Sequence, residues 1–235
     1  MKRPLLILFG MALLASAALF GAPRAAAAPG CPDVEAVFAR GTAETAPPVG
    51  VTGLSFGAAL RNQLPGKSVT VYGVNYQASS NFNNRVAFVE NVVDGINDTQ
   101  RRVKYLAAQC PDTHIVIGGY SQGGAVASYA VSGKIDLAPR YREYEDRVPR
   151  PLPADVASHV AAVILFAPPS SNWIREIGAP EINIGPQYKG KTKSYCIAGD
   201  VVCDGSPVGG PNALHVLYAA NGMTLDAAQY VKARI

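Results

Sequence analysis

Charge is scarce in this chain. Asp, Glu, Lys and Arg make up only 16% of its 235 residues, against 49% hydrophobic, a balance that excludes wholesale disorder and leaves ample material for a folded core. The length suggests one domain or a small pair. The formal charge of +4 shrinks further, because Lys2, Arg3 and Arg24 lie in a segment expected to be removed, which leaves 18 basic residues against 17 acidic ones. A chain so nearly neutral has no basic patch to offer DNA, RNA or an anionic membrane. Metal ligands are few as well. There are three histidines and four cysteines. No histidine pair has ligand spacing, and Cys196 and Cys203 stand further apart than a zinc-ligand pair, so no metal is expected. Long apolar runs are also lacking: beyond the N-terminus nothing reaches the roughly 18 uninterrupted apolar residues that mark a membrane span.

What is present begins with a leader. Met1-Lys2-Arg3 is a positive start, Leu5 to Phe20 is an apolar run, and Ala25 to Ala28 are small residues before Pro29. That order reads as a secretory signal peptide over residues 1–28, an uncleaved anchor being the alternative. The expected location is extracellular or at the cell envelope. There an even cysteine count, Cys31, Cys110, Cys196 and Cys203, favours disulfides, with three pairings open.

Short apolar stretches alternate with longer segments of helical period, the pattern of β-then-α units around a parallel sheet. Strands are expected at Val34 to Ala39, Val69 to Tyr76, Ile115 to Gly119, Val160 to Phe166 and Lys193 to Ala198. The clearest helix spans Arg85 to Gln109, with an apolar stripe from Val89 through Ile96 and Val103 to Leu106. Asp98 and Arg102 fall on its outward face, and Asn83 or Asn84 is its cap. Further helices are expected at Leu54 to Leu64, Gly123 to Ser132, Pro211 to Ala220 and Leu225 to Ala233. Lys134 to Asp155, crowded with charge and proline, reads as a solvated excursion. With no repeat and no second core, residues 29–235 form a single α/β domain.

Gly119-Tyr120-Ser121-Gln122-Gly123 fits G-x-S-x-G, which on an α/β scaffold puts a serine on a sharp strand-to-helix turn at the sheet's carboxyl edge. The pattern alone is weak, and Gly53 to Gly57 matches it too. Context separates them: Ser121 follows an apolar strand, whereas Ser55 follows a proline-rich loop and reads as a helix-start residue. A serine needs a base to take its proton. His114 and His159 fall at strand entries, the wrong end of a parallel sheet, so His215 is the base by elimination. In this fold the acid lies between serine and histidine in the chain; Asp200, just beyond the last strand, is the candidate and Asp204 its competitor.

These residues resemble the cutinase family of serine esterases. The resemblance rests on Val37 to Thr45 after the first strand, Gly119 to Gly123 at the turn, Cys196-x3-Asp200-x2-Cys203, and His215 beyond them. It implies a three-layer α/β/α sandwich, a cutinase-like α/β-hydrolase with a central five-stranded parallel sheet and no full lid. It also implies Ser121 as nucleophile, Asp200 as acid and His215 as base, an oxyanion hole from Thr42 and Gln122, and pairing of Cys31 with Cys110 and of Cys196 with Cys203. Thr42 departs from the serine common in fungal members. In the chain-entropy model the long ring so closed stabilises by about 4.5 kcal/mol and the short one by about 2.5, so the short ring serves more to shape a loop.

The expected activity is hydrolysis of carboxylic esters, from short- or medium-chain acyl esters to lipids or polyesters such as cutin. No cofactor, no nucleic acid and no second subunit are expected. Acyltransferase and phospholipase activities on the same triad are the alternatives, as is a non-catalytic secreted surface protein.

Overall fold

The computed structural model describes residues 30–44 and 48–235, so the expected leader lies outside the described residues. The strands are β1 (Val34–Ala39), β2 (Val69–Gly73), β3 (His114–Tyr120), β4 (Ser132–Lys134), β5 (Val160–Phe166), β6 (Asn183–Ile184) and β7 (Thr192–Tyr195). The helices are α1 (Gly50–Gln63), α2 (Arg85–Gln109), α3 (Gln122–Ala130), α4 (Ser171–Glu176), α5 (Pro186–Lys189) and α6 (Met223–Lys232). Five strands form one parallel sheet in the order β2-β1-β3-β5-β7.

β1 is buried along its whole length, and β3 and β5 nearly so. Strand side chains alternate between faces, and the core divides accordingly. Val37, Ile117, Val163 and Leu165 pack with α2 and α3 on one side. Phe38, Val116, Ile164 and Phe166 pack with α1 and α6 on the other, around the cluster of Phe38, Phe56 and Phe166 rings. The result is the expected α/β/α sandwich.

Several expectations shift. β2 stops at Gly73, short of Tyr76. α1 starts at Gly50 because the Glu44 carboxylate, from across the loop, accepts the Val51 N–H at 2.9 Å, a non-local cap. Ser55 therefore lies inside the helix. Its hydroxyl donates to the Ala219 carbonyl at 2.8 Å and joins α1 to the start of α6. On α2 the cap is Asn84, which accepts from the Ala87 N–H at 3.2 Å. Two outward assignments fail there. Asp98 is buried because the Asn75 N–H and the Tyr72 hydroxyl need an acceptor, and Arg102 turns inward to meet the buried Glu35 carboxylate at 2.6 Å. Val89 leaves the apolar stripe and is exposed, since the first two turns of α2 extend past the body of the molecule.

Pro211 to Ala220 is not an α-helix. Only one 3-10 turn forms, Ala213–Val216. In an α-helix the His215 carbonyl would accept from Ala219; instead it accepts the Tyr120 hydroxyl at 2.5 Å. The charged excursion from Lys134 has no buried residue in its 3-10 stretch, Pro139–Arg147, and its start pairs as β4 with β6 in a small antiparallel ribbon.

Candidate active site

In an open parallel sheet, ligands bind where strand order reverses, outside the carboxyl ends of the strands. Here that crevice lies between β1 and its later-sequence neighbour β3. The turns leaving these two strands carry Thr42 and Ser121.

Ser121 has φ 54° and ψ −120°, a backbone conformation a serine adopts only under constraint, at about 1–3 kcal/mol. The glycines around it explain how the turn is made. A Cβ on Gly119 would lie 2.0 Å from the Gly123 carbonyl oxygen, and one on Gly123 would lie 2.0 Å from that of Ala39. Only bare backbone fits, so α3 starts hard against both β3 and the loop after β1. The Ser121 side chain is left projecting from the turn.

His215 Nε2 lies 2.8 Å from Ser121 Oγ. The other ring nitrogen, Nδ1, is 2.9 and 3.0 Å from the two oxygens of Asp200. Asp200 is fully buried and His215 nearly so. The Val202 N–H donates to Asp200 Oδ1 at 3.1 Å, and the Tyr218 hydroxyl donates to Oδ2 at 2.7 Å. The competitor Asp204 is exposed and takes the Ser206 N–H at 2.9 Å; the Ser206 side chain first, and this N–H second, lower its pKa. His114 and His159 stand at the amino ends of β3 and β5, the far side of the sheet. Both disulfides form as the resemblance implied: Cys31 with Cys110, and Cys196 with Cys203 around the turn that bears Asp200.

Gln122 opens α3, so its N–H is among those without a partner inside the helix. Its side chain donates to the Ser79 carbonyl at 3.2 Å and so ties down the loop before α2. Thr42 lies in a turn braced by two residues the sequence reading did not single out. Arg40 donates to the carbonyls of Glu44 at 2.5 Å and Tyr76, and the Glu44 carboxylate accepts the Gly41 N–H at 2.7 Å. Tyr120 was missed as well. Its ring abuts Gly41 and lies 5.2 Å from the His215 imidazole, so it joins the Thr42 turn to the His215 loop. Burial raises its pKa and keeps the phenol protonated. Among the described residues no group of three or more His, Cys, Asp or Glu is arranged to hold a metal ion, and no helix is long and apolar enough to cross a membrane.

The family model for cutinase matches residues 30–235. The chain belongs to the cutinase family. Among its relatives, the probable carboxylesterase Culp7 of Mycobacterium tuberculosis is 43% identical over 74% of this chain and 89% of its own. The carboxylesterase Culp1 of Mycobacterium bovis is 36% identical over 99% and 97%. A Trichoderma reesei cutinase solved with a phosphonate inhibitor superposes with a TM-score of 0.61 at 28% identity, over 86% of this chain and 75% of that one. This member of the family is therefore a carboxylic ester hydrolase of the serine esterase type.

Proposed function

We propose that the enzyme hydrolyses esters through an acyl-enzyme on Ser121. The observation that carries this is the continuous chain of contacts from Ser121 Oγ through the His215 imidazole to the Asp200 carboxylate. As Ser121 Oγ attacks the acyl carbonyl, His215 Nε2 takes its proton, and Asp200 holds Nδ1–H and balances the imidazolium. The developing oxyanion meets the Gln122 N–H at the positive end of α3 and, from the neighbouring turn, Thr42. His215 then returns the proton to the leaving alkoxide, and water releases the acyl group by the same route.

The substrate class is water-insoluble or amphiphilic carboxylic esters, lipids or polyesters such as cutin. Among the described residues, all the exposed large hydrophobic side chains but Tyr105 lie on connections leaving the carboxyl edge of the sheet or in the first turns of the helices that follow. Phe82, Val86 and Val89 rise on the β2 side, and Val208, Val216 and Leu217 on the β7 side. Apolar surface gathered at the mouth of a site suits a substrate presented at an interface. A relative bearing the name phospholipase Culp4, 36% identical over 95% of this chain, is in keeping with such substrates. Export through the leader at residues 1–28 fits the two disulfides.

The test is Ser121→Ala. Turnover of p-nitrophenyl esters should fall about a thousandfold or more with an unchanged circular dichroism spectrum, and labelling by an organophosphonate should disappear. Near-normal turnover in that variant would refute the assignment. Rates across acyl lengths, a phospholipid and a polyester film would then set the preference.

A further inference from the structure

Tyr218 is wholly buried, and its hydroxyl is used on every side. It donates to Asp200 Oδ2 at 2.7 Å, accepts the Ile197 N–H at 2.9 Å, and stands 3.3 Å from Cys203 Sγ. A phenol has a single proton to give, and here it goes to the carboxylate. The group that aims the hydroxyl is the backbone just past Cys196, and its other neighbour is Cys203, so both ends of the short disulfide ring fix it. Burial, with Asp200 alongside, pushes the Tyr218 pKa up and keeps the phenol a donor. Apart from His215, Asp200 then has two anchors, Tyr218 on one oxygen and the Val202 N–H on the other.

We infer that Tyr218 is a positioning residue: its hydroxyl, held by the Cys196–Cys203 ring, orients the Asp200 carboxylate toward His215 Nδ1 and draws off part of its charge. The second effect limits how strongly the carboxylate stabilises the imidazolium, and so sets the basicity of His215. The inference rests on the proposed roles of Ser121, His215 and Asp200. The titratable groups packed around the Asp200–His215 pair are Tyr218 from the same loop and Tyr120 from the end of β3, with Glu44 behind Tyr120.

Tyr218→Phe in the mature, oxidised enzyme keeps the ring and deletes the hydroxyl. With a soluble p-nitrophenyl ester, kcat should fall roughly tenfold, the size of one lost hydrogen bond to a buried charge, while KM changes little. The acid limb of kcat/KM should move to higher pH, because a carboxylate relieved of its donor favours the imidazolium more. Site-specific replacement of Tyr218 by 3-fluorotyrosine, a stronger donor of nearly the same shape, should move that limb to lower pH. A packing role would shift neither limb. Folded variants whose acid limbs coincide with the wild type overturn the inference; if the Phe variant does not fold, the fluorotyrosine enzyme decides alone. Ser121→Ala runs beside them. Full activity there overturns the roles on which the inference depends, whereas an inactive Ser121→Ala with unmoved limbs overturns Tyr218 alone.

Discussion

His114 shows how a single side chain ties stability to pH. It opens β3, at the end of the sheet away from Ser121, and burial together with Lys67 lowers its pKa below the ordinary 6.5. The unfolded chain therefore binds a proton more readily than the folded one. The stability this histidine contributes is present above its unfolded value and is lost as pH falls through the lower folded one. His114→Asn removes that titration. Urea midpoints of the two proteins should converge, or cross, as pH drops from about 7 to about 5, since only the wild type loses this contribution. Parallel midpoints across that range would show that the burial of His114 carries no energetic weight.

At the scale of elements, the turn from β3 into α3 is a join with no room for an added side chain. A methyl group at Gly123 would meet backbone oxygen from the end of β1, and backbone cannot swing aside as a flexible side chain can. Gly123→Ala should displace α3 or unfold the domain, lowering both esterase activity and the melting temperature. Gly210→Ala, with open space around it, should change neither measurably. If Gly123→Ala behaved like Gly210→Ala, the close approach of α3 to β1 would be wrong. This join was legible from residues alone, because G-x-S-x-G behind an apolar strand encodes both the strain and the crowding. The three inner strands β1, β3 and β5 were legible for a similar reason, being short apolar runs that only a double-sided sheet can bury, whereas β2 and β7 at its borders are only partly buried. What escaped notice depends on partners remote in sequence. The 3-10 turn at Ala213–Val216 forms because Tyr120 claims the His215 carbonyl from 95 residues away. The early start of α1 depends on Glu44, and the inward turn of Arg102 on Glu35. Tyr218 carried no mark in the sequence beyond its place three residues after His215. No periodicity can announce such contacts.

Across the whole molecule, the proposed reacting groups are mounted unequally. Ser121 rides on β3, the middle strand of five, with β1 on one side and β5 on the other. Asp200 and His215 hang from the connection that follows β7, which is short, lies at the sheet's edge and pairs with β5 alone. Structure opens first where it is least packed, and an outermost strand has one neighbour fewer to hold it. The Cys196–Cys203 ring restrains the turn at Asp200, but the residues from Pro207 to Pro211 run exposed before the chain returns to His215. Warming should thus silence the enzyme before it melts. The midpoint of reversible activity loss should fall several degrees below that of the circular dichroism transition, and reduction of the disulfides should widen the gap. Coincident midpoints would mean that the border of the sheet is as firmly seated as its centre.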